Sequence, residues 1–230
     1  MEEKIQKILS SYTKNNSNIY LGKVSSNDQA KELELREKVA IENKFDLDQV
    51  AKHHSIEVMD NEVKNFILPL KQNSIVLDVG CGWCWHWRKI KKLRSDITIF
   101  ALDFAQSNFK IAKEIFDGDS KSKIYFINEN ILQTNLPYNF FDAIWSCQTY
   151  QHIPNLPKAF EISYNLLKPK GLFCNYNLNY SIFSKVKNLF KKNKRIHMQN
   201  YYLNKDIEYN CKLLEKIFKN KISKKYCEIL

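Results

Sequence analysis

The residues best suited to chemistry gather at one turn, Asp78-Val79-Gly80-Cys81-Gly82-Trp83-Cys84, which follows a short apolar run. Two glycines one residue apart let backbone approach a ligand closely. Such a pair is unspecific alone. Asp103 adds to it, because it ends the next apolar run in Ala101-Leu102-Asp103-Phe104, where a carboxylate can accept hydrogen bonds from both ribose hydroxyls of an adenosine. The turn also contains Cys81-Gly82-Trp83-Cys84, a Cys-x-x-Cys that could act as a dithiol redox site, since a helix N-terminus lowers a thiol pKa. Redox chemistry does not need the surrounding Asp-x-Gly-x-Gly, which weighs against it. Zinc would need His86 and the distant Cys147 to complete a set, and with no second Cys-x-x-Cys or His pair no metal is expected. A nicotinamide-binding Gly-x-Gly-x-x-Gly would require glycine where Trp85 stands.

The elements that must hold these residues follow from periodicity. Residues 1 to about 70 read as helical, with Ala30–Asn43 and Ile56–Leu68 carrying apolar residues at helix-like spacing and Pro69 ending the second. From Ser74 short apolar runs alternate with helix-length polar segments. The runs are 75–79, 97–102, 124–127, 141–145 and 172–176, and helices are expected at Trp85–Leu93, Gln106–Phe116 and Leu156–Leu167. Runs apolar on both faces suit central parallel strands. The fold class is therefore α/β, a doubly wound, mostly parallel sheet flanked by helices, whose ligands bind beyond the carboxyl ends of the strands.

With that grammar in place, Val76-Leu77-Asp78-Val79-Gly80-Cys81-Gly82 resembles the first motif of the class I, Rossmann-like S-adenosylmethionine-dependent methyltransferases. Further motifs follow in the family's order. Asp103 and Phe104 resemble the ribose-holding acid and its neighbour at the adenine, and Asn130-Ile131 falls where the family has an acid-aliphatic pair at the adenine amino group. Leu136-Pro137-Tyr138, Phe141-Asp142, Tyr150-Gln151-His152-Ile153 and Leu167-Lys168-Pro169-Lys170-Gly171 match later segments, so the resemblance spans roughly residues 60 to 176. It implies S-adenosylmethionine as cofactor and Asp78, Gly80, Cys81, Gly82, Asp103, Phe104, Asn130, Ile131 and Cys147 as its contacts. Trp83 and Cys84 stand where the family has smaller residues, and Asn130 replaces its acid. The domain is expected to run from 71 to 230, behind a helical extension or lid over 1–70, and its C-terminal strand pair is expected to be incomplete. Tyr201–Phe218 reads as a further helix and Ile222–Leu230 as a strand.

Methyl transfer from an activated sulfonium needs mainly that the acceptor be held in line. His152 is the candidate general base, since its pKa lies near neutrality and it follows the fourth strand; ordering the loop or packing on the cofactor is the competing role. His197, Tyr201 and Tyr202 are candidates for the acceptor pocket, and Tyr20 with the N-terminal helices for its lid. The segment 150–153 is most like the branch acting on small molecules. A DNA base is not expected as acceptor, because Ser146-Cys147-Gln148-Thr149 replaces the Asp/Asn-Pro-Pro-Tyr/Phe of the amino-directed DNA enzymes. A non-catalytic binding or scaffold protein on the same fold is the alternative, and loss of cofactor binding would distinguish it.

Composition limits the remaining choices. The 230 residues are 44 % hydrophobic and 27 % charged, as in an ordinary globular chain. No run approaches a membrane span and no signal peptide opens the chain, so a cytoplasmic location with reduced cysteines is expected. The net charge of +11 is concentrated after residue 184, where a basic segment could contact an anionic partner or present a solvated surface.

Overall fold

The computed structural model describes residues 2–24, 29–42, 46–51, 55–116, 123–176 and 207–218. Among the described residues seven strands form one sheet: β1 (Thr13–Lys14), β2 (Ile19–Leu21), β3 (Ile75–Val79), β4 (Thr98–Asp103), β5 (Lys123–Asn128), β6 (Phe141–Cys147) and β7 (Leu167–Tyr176). Their spatial order is β1-β2-β5-β4-β3-β6-β7, all parallel except the β1–β2 pair. The order reverses between β3 and β6, so the ends of these two strands diverge into a crevice at their carboxyl side.

The helices are α1 (Glu2–Leu9), α2 (Ala30–Glu42), α3 (Leu47–Ala51), α4 (Ile56–Ile67), α5 (Ile90–Arg94), α6 (Asn108–Ile115), α7 (Leu156–Leu166) and α8 (Ile207–Phe218). Alternation along the strands divides the core. Ile75, Leu77 and Val79 pack with α1, α7 and Leu214 of α8 on one face. Val76 packs on the other with Phe66 and Ile67 of α4, Phe109 of α6, Trp87 and Trp145. Asp78, next but one to Val76, must point to this second, aromatic face.

Three local expectations are corrected. Residues 13–21 are a hairpin, where periodicity expects helix throughout 1–70. The Asn15 side chain accepts from the amides of Ser17 and Ile19, Asn18 takes a positive φ of 54°, and the turn delivers β2 to the free edge of β5. Strands of two and three residues are too short to show a period of two. The helix expected over Trp85–Leu93 is also broken, into a 3-10 turn at Trp85–Trp87 and then α5. Its break begins at Cys84, whose φ of 56° is left-handed, and is fixed by His86 and Trp87 turning their rings toward Asp78. Finally, Leu167–Gly171 is the bulged start of β7, where the register against β6 shifts between Phe141 and Ala143 and Lys170 has a φ of 65°.

The other expected elements lie within a few residues of their observed ends. His197, Tyr201, Tyr202, the strand expected at 222–230 and most of the basic segment after 184 lie outside the described residues. Among the described residues no helix is long and apolar enough to cross a membrane.

Candidate active site

Beyond the carboxyl ends of β3, β4, β5 and β6 lies a cavity of about 620 Å³. Its floor is the turn after β3. The amides of Gly80 and Cys81 both donate to the Leu102 carbonyl, at 2.8 and 3.1 Å, which binds this turn to the end of β4. Gly80 has a φ of 70°, and a Cβ there would stand 2.2 Å from Thr149, so the loop after β6 can close over it only because no side chain intervenes. Gly82, at φ 53°, faces open space: a Cβ there would meet no atom within 4 Å.

Asp103 connects the turn to β4. One carboxylate oxygen accepts from the Gly82 amide at 2.8 Å, and the other from the Ala105 amide at 2.9 Å and the Asn108 side chain at 3.2 Å. Burial raises its pKa above the ordinary carboxylate value, while these donors and the nearby Arg36 oppose the rise. Each oxygen can accept further bonds, so the carboxylate remains able to receive hydroxyls from the cavity it lines.

Gly80, Cys81, Gly82, Asp103, Phe104, Asn130, Ile131, Cys147 and His152, all singled out from the sequence, line this one cavity. Asp78 is not among the lining residues. It lies fully buried beneath the turn, where one oxygen receives the His86 ring at 2.9 Å and the Trp87 indole N–H at 2.8 Å. Stacking of His86 on Trp145, with ring centroids 5.9 Å apart, completes an aromatic support under the floor. Asn130 is itself constrained: its Oδ1 accepts from the Leu132 amide, and its Nδ2 donates to Gln29 at 2.6 Å.

Burial pushes the Cys81 and Cys84 thiols up and the Cys147 thiol up to about 12. Protonated, buried thiols are poor nucleophiles, which weighs further against dithiol redox catalysis.

Another part of the lining carries residues that no sequence motif marks. Gln29, Glu32 and Arg36, on or just before α2, face the cavity. Arg36 pairs with Glu32 at 2.7 Å one helical turn away, and its guanidinium lies 3.4 Å from Nε2 of His152, while Glu32 lies 3.5 Å from Nδ1. Burial and Arg36 lower the His152 pKa to about 4, with Glu32 opposing, so the imidazole is neutral near pH 7. Glu129, fully buried at the end of β5, accepts from Tyr12, Thr134 and the Asn135 amide, which anchors the N-terminal hairpin beside the cavity. Its position immediately before Asn130 was the signal available for it in the sequence.

Comparison with known proteins agrees with this geometry. A family model described as a methyltransferase domain matches residues 77–175. Sterol 24-C-methyltransferase of Aspergillus fumigatus is 30% identical over 105 residues, covering 45% of this chain and 28% of that protein. Malonyl-[acyl-carrier protein] O-methyltransferase of Buchnera aphidicola is 25% identical over 140 residues, covering 60% of this chain and 54% of that one. The chain thus spans between a quarter and about half of these relatives' lengths. Among solved structures, phosphoethanolamine N-methyltransferase 2 of Haemonchus contortus, in complex with S-adenosyl-L-methionine, aligns with a TM-score of 0.54 at 20% identity over 69% of this chain and 36% of its own. A candidate S-adenosyl-L-methionine-dependent methyltransferase of Methanococcus maripaludis aligns with a TM-score of 0.56 at 22% identity, covering 79% and 84% of the two chains. Residues 77–175 of this chain thus match the methyltransferase-domain family, on the mostly parallel, Rossmann-like sheet that the solved methyltransferase structures share.

Proposed function

We propose that this chain transfers a methyl group from S-adenosylmethionine to a small-molecule acceptor. The observation that carries this reading is the convergence of Asp103, the open Gly82 and Asn130-Ile131 on one cavity at the switch point of the sheet. The residues present fit the cofactor: the uncovered face at Gly82 leaves room for it, and Asp103 lines the same cavity with acceptor capacity to spare. Asp103 would hold the ribose, Phe104, Asn130 and Ile131 the adenine, and the 80–82 turn with Cys147 the methionine end. Asp78 would act from beneath, through the shape it gives the turn.

The cofactor supplies an already activated methyl group, which leaves the protein the work of positioning and of excluding water. His152 is neutral and can accept a hydrogen bond or a proton from the acceptor, though a pKa of about 4 makes it a better orienting group than a strong base. Residues of α2 line the same cavity, which supports the lid role expected of the N-terminal residues. Relatives that act on sterols and on an acyl-carrier-bound acid support a small organic acceptor, because the residues facing the acceptor side here are a few polar groups among apolar ones.

Calorimetric titration with S-adenosylmethionine and S-adenosylhomocysteine tests the reading. Saturable binding, weakened about a hundredfold in Asp103→Ala through loss of hydrogen bonds to a charged acceptor, is expected. A folded sample that binds neither ligand would sink it and shift the weight to a non-catalytic binding protein.

A further inference from the structure

Asp78, Cys81 and Cys84 are more than a support for the turn. A carboxylate oxygen of Asp78 and the two sulfur atoms lie within 4.8 Å of one another, and all three residues are buried. The ligand atoms of a tetrahedral zinc ion stand roughly 3.6–3.8 Å apart, given metal–sulfur bonds of about 2.3 Å and metal–oxygen bonds of about 2.1 Å. The cluster would therefore close on such an ion with side-chain adjustments of about 1 Å.

A second observation points the same way. Asp78 has no solvent exposure, and while Oδ2 receives both His86 and Trp87, Oδ1 has no hydrogen-bond partner. A buried carboxylate oxygen without a donor is costly. Donors to Oδ2 also fix the orientation of the group, as outer-shell partners do for ligating carboxylates. Cys84 is held at a left-handed φ of 56° in the hydrogen-bonded turn that returns its amide to the Cys81 carbonyl at 2.9 Å, which keeps the two thiols on one side of the loop. Cys81 lines the cavity, so an ion can reach the cluster from there.

We propose that Asp78, Cys81 and Cys84 form a binding site for a thiophilic divalent cation of the zinc type. On binding, each thiol gives its proton to solvent and coordinates through the resulting sulfur lone pair, and no electron changes hands. Two thiolates and a carboxylate suit zinc or cadmium and not magnesium or calcium. The sequence alone could not show this set, because its third ligand is the acid of the Asp-x-Gly-x-Gly motif, brought back over the Cys-x-x-Cys by the turn.

The test uses the full-length, reduced protein and cadmium or zinc ions. Cadmium titration should give an ultraviolet thiolate-to-metal charge-transfer band saturating at one equivalent. The affinity should fall at least tenfold in Cys84→Ser and stay unchanged in Cys174→Ser. X-ray absorption of the zinc-loaded wild type should show two sulfurs and otherwise lighter ligands, a result that stands even if Cys84→Ser fails to fold. Absence of the band, a Cys84→Ser protein that binds as the wild type does, or a zinc shell without two sulfurs would overturn the proposal. None of these readouts depends on methyl transfer or on cofactor binding.

Discussion

The two walls of the cavity are built by different means. The floor, from Gly80 to Gly82 and on to Asp103, is held by backbone amides bound to the neighbouring strand and to a buried carboxylate. The cover, from the N-terminal hairpin to α2, is held by side chains: Tyr12 on Glu129, Glu37 on the Ser107 amide at 3.2 Å, Gln29 on Asn130, and the Arg36–Glu32 pair beside His152. A wall of amides tolerates little change in shape, while a wall of side-chain pairs can be altered one residue at a time. The first suits an invariant ligand, and the second suits a variable one.

Substitutions on each side can break or sharpen that contrast. Gly82→Ala should act more strongly than any change to the cover: it places a Cβ in the open cavity and strains a left-handed residue, so S-adenosylhomocysteine affinity should fall at least tenfold by calorimetry. Unchanged affinity would mean that the ligand does not lie against this turn. Tyr12→Phe, on the cover, removes one donor from buried Glu129 and should cost about 1–2 kcal/mol in denaturant unfolding with the floor's ligand affinity little altered. A variant as stable as the wild type would show that the hairpin is not anchored through this bond.

His152 lies where the walls meet. Its folded pKa of about 4 is below the ordinary value of 6.5, so the unfolded chain takes up a proton that the folded one excludes. The resulting stability is complete above pH 6.5 and is lost as the pH falls through about 4. His152→Gln should flatten that part of the stability–pH curve; an equally steep curve in the variant would assign the slope to other groups. Arg36→Met should have the smallest effect. Without the guanidinium, burial alone lowers the imidazole pKa while Glu32 still raises it, so the acid slope should move toward neutral pH while cofactor affinity stays within about twofold. A large loss of cofactor affinity in this variant would mean that α2 belongs to the cofactor wall as well.

The floor was legible in the sequence because its requirements are local. Asp78-x-Gly-x-Gly and the acid ending the next strand recur at fixed spacing, since a strand-to-helix turn must leave backbone uncovered and place a carboxylate one strand away. The central strands β3, β4 and β6 could be read for a similar reason, because a strand buried on both faces must be apolar throughout. The cover was not legible. Glu32, Arg36 and Gln29 reach His152 and Asn130 across about a hundred residues of chain, and nothing in α2 distinguishes such residues from a solvated charged face.

The sequence by itself thus determined the sheet's central strands, the glycine turn after β3 and the acid that pairs with it, all of which follow from neighbouring residues and a fixed period. Only the tertiary structure decided three further points: that a hairpin of two short strands extends the sheet, that α2 closes the cavity over a neutral His152, and that Asp78 folds back onto Cys81 and Cys84 instead of facing the cavity. Each depends on contacts whose partners are set by the packing of the whole chain, and no local pattern encodes them.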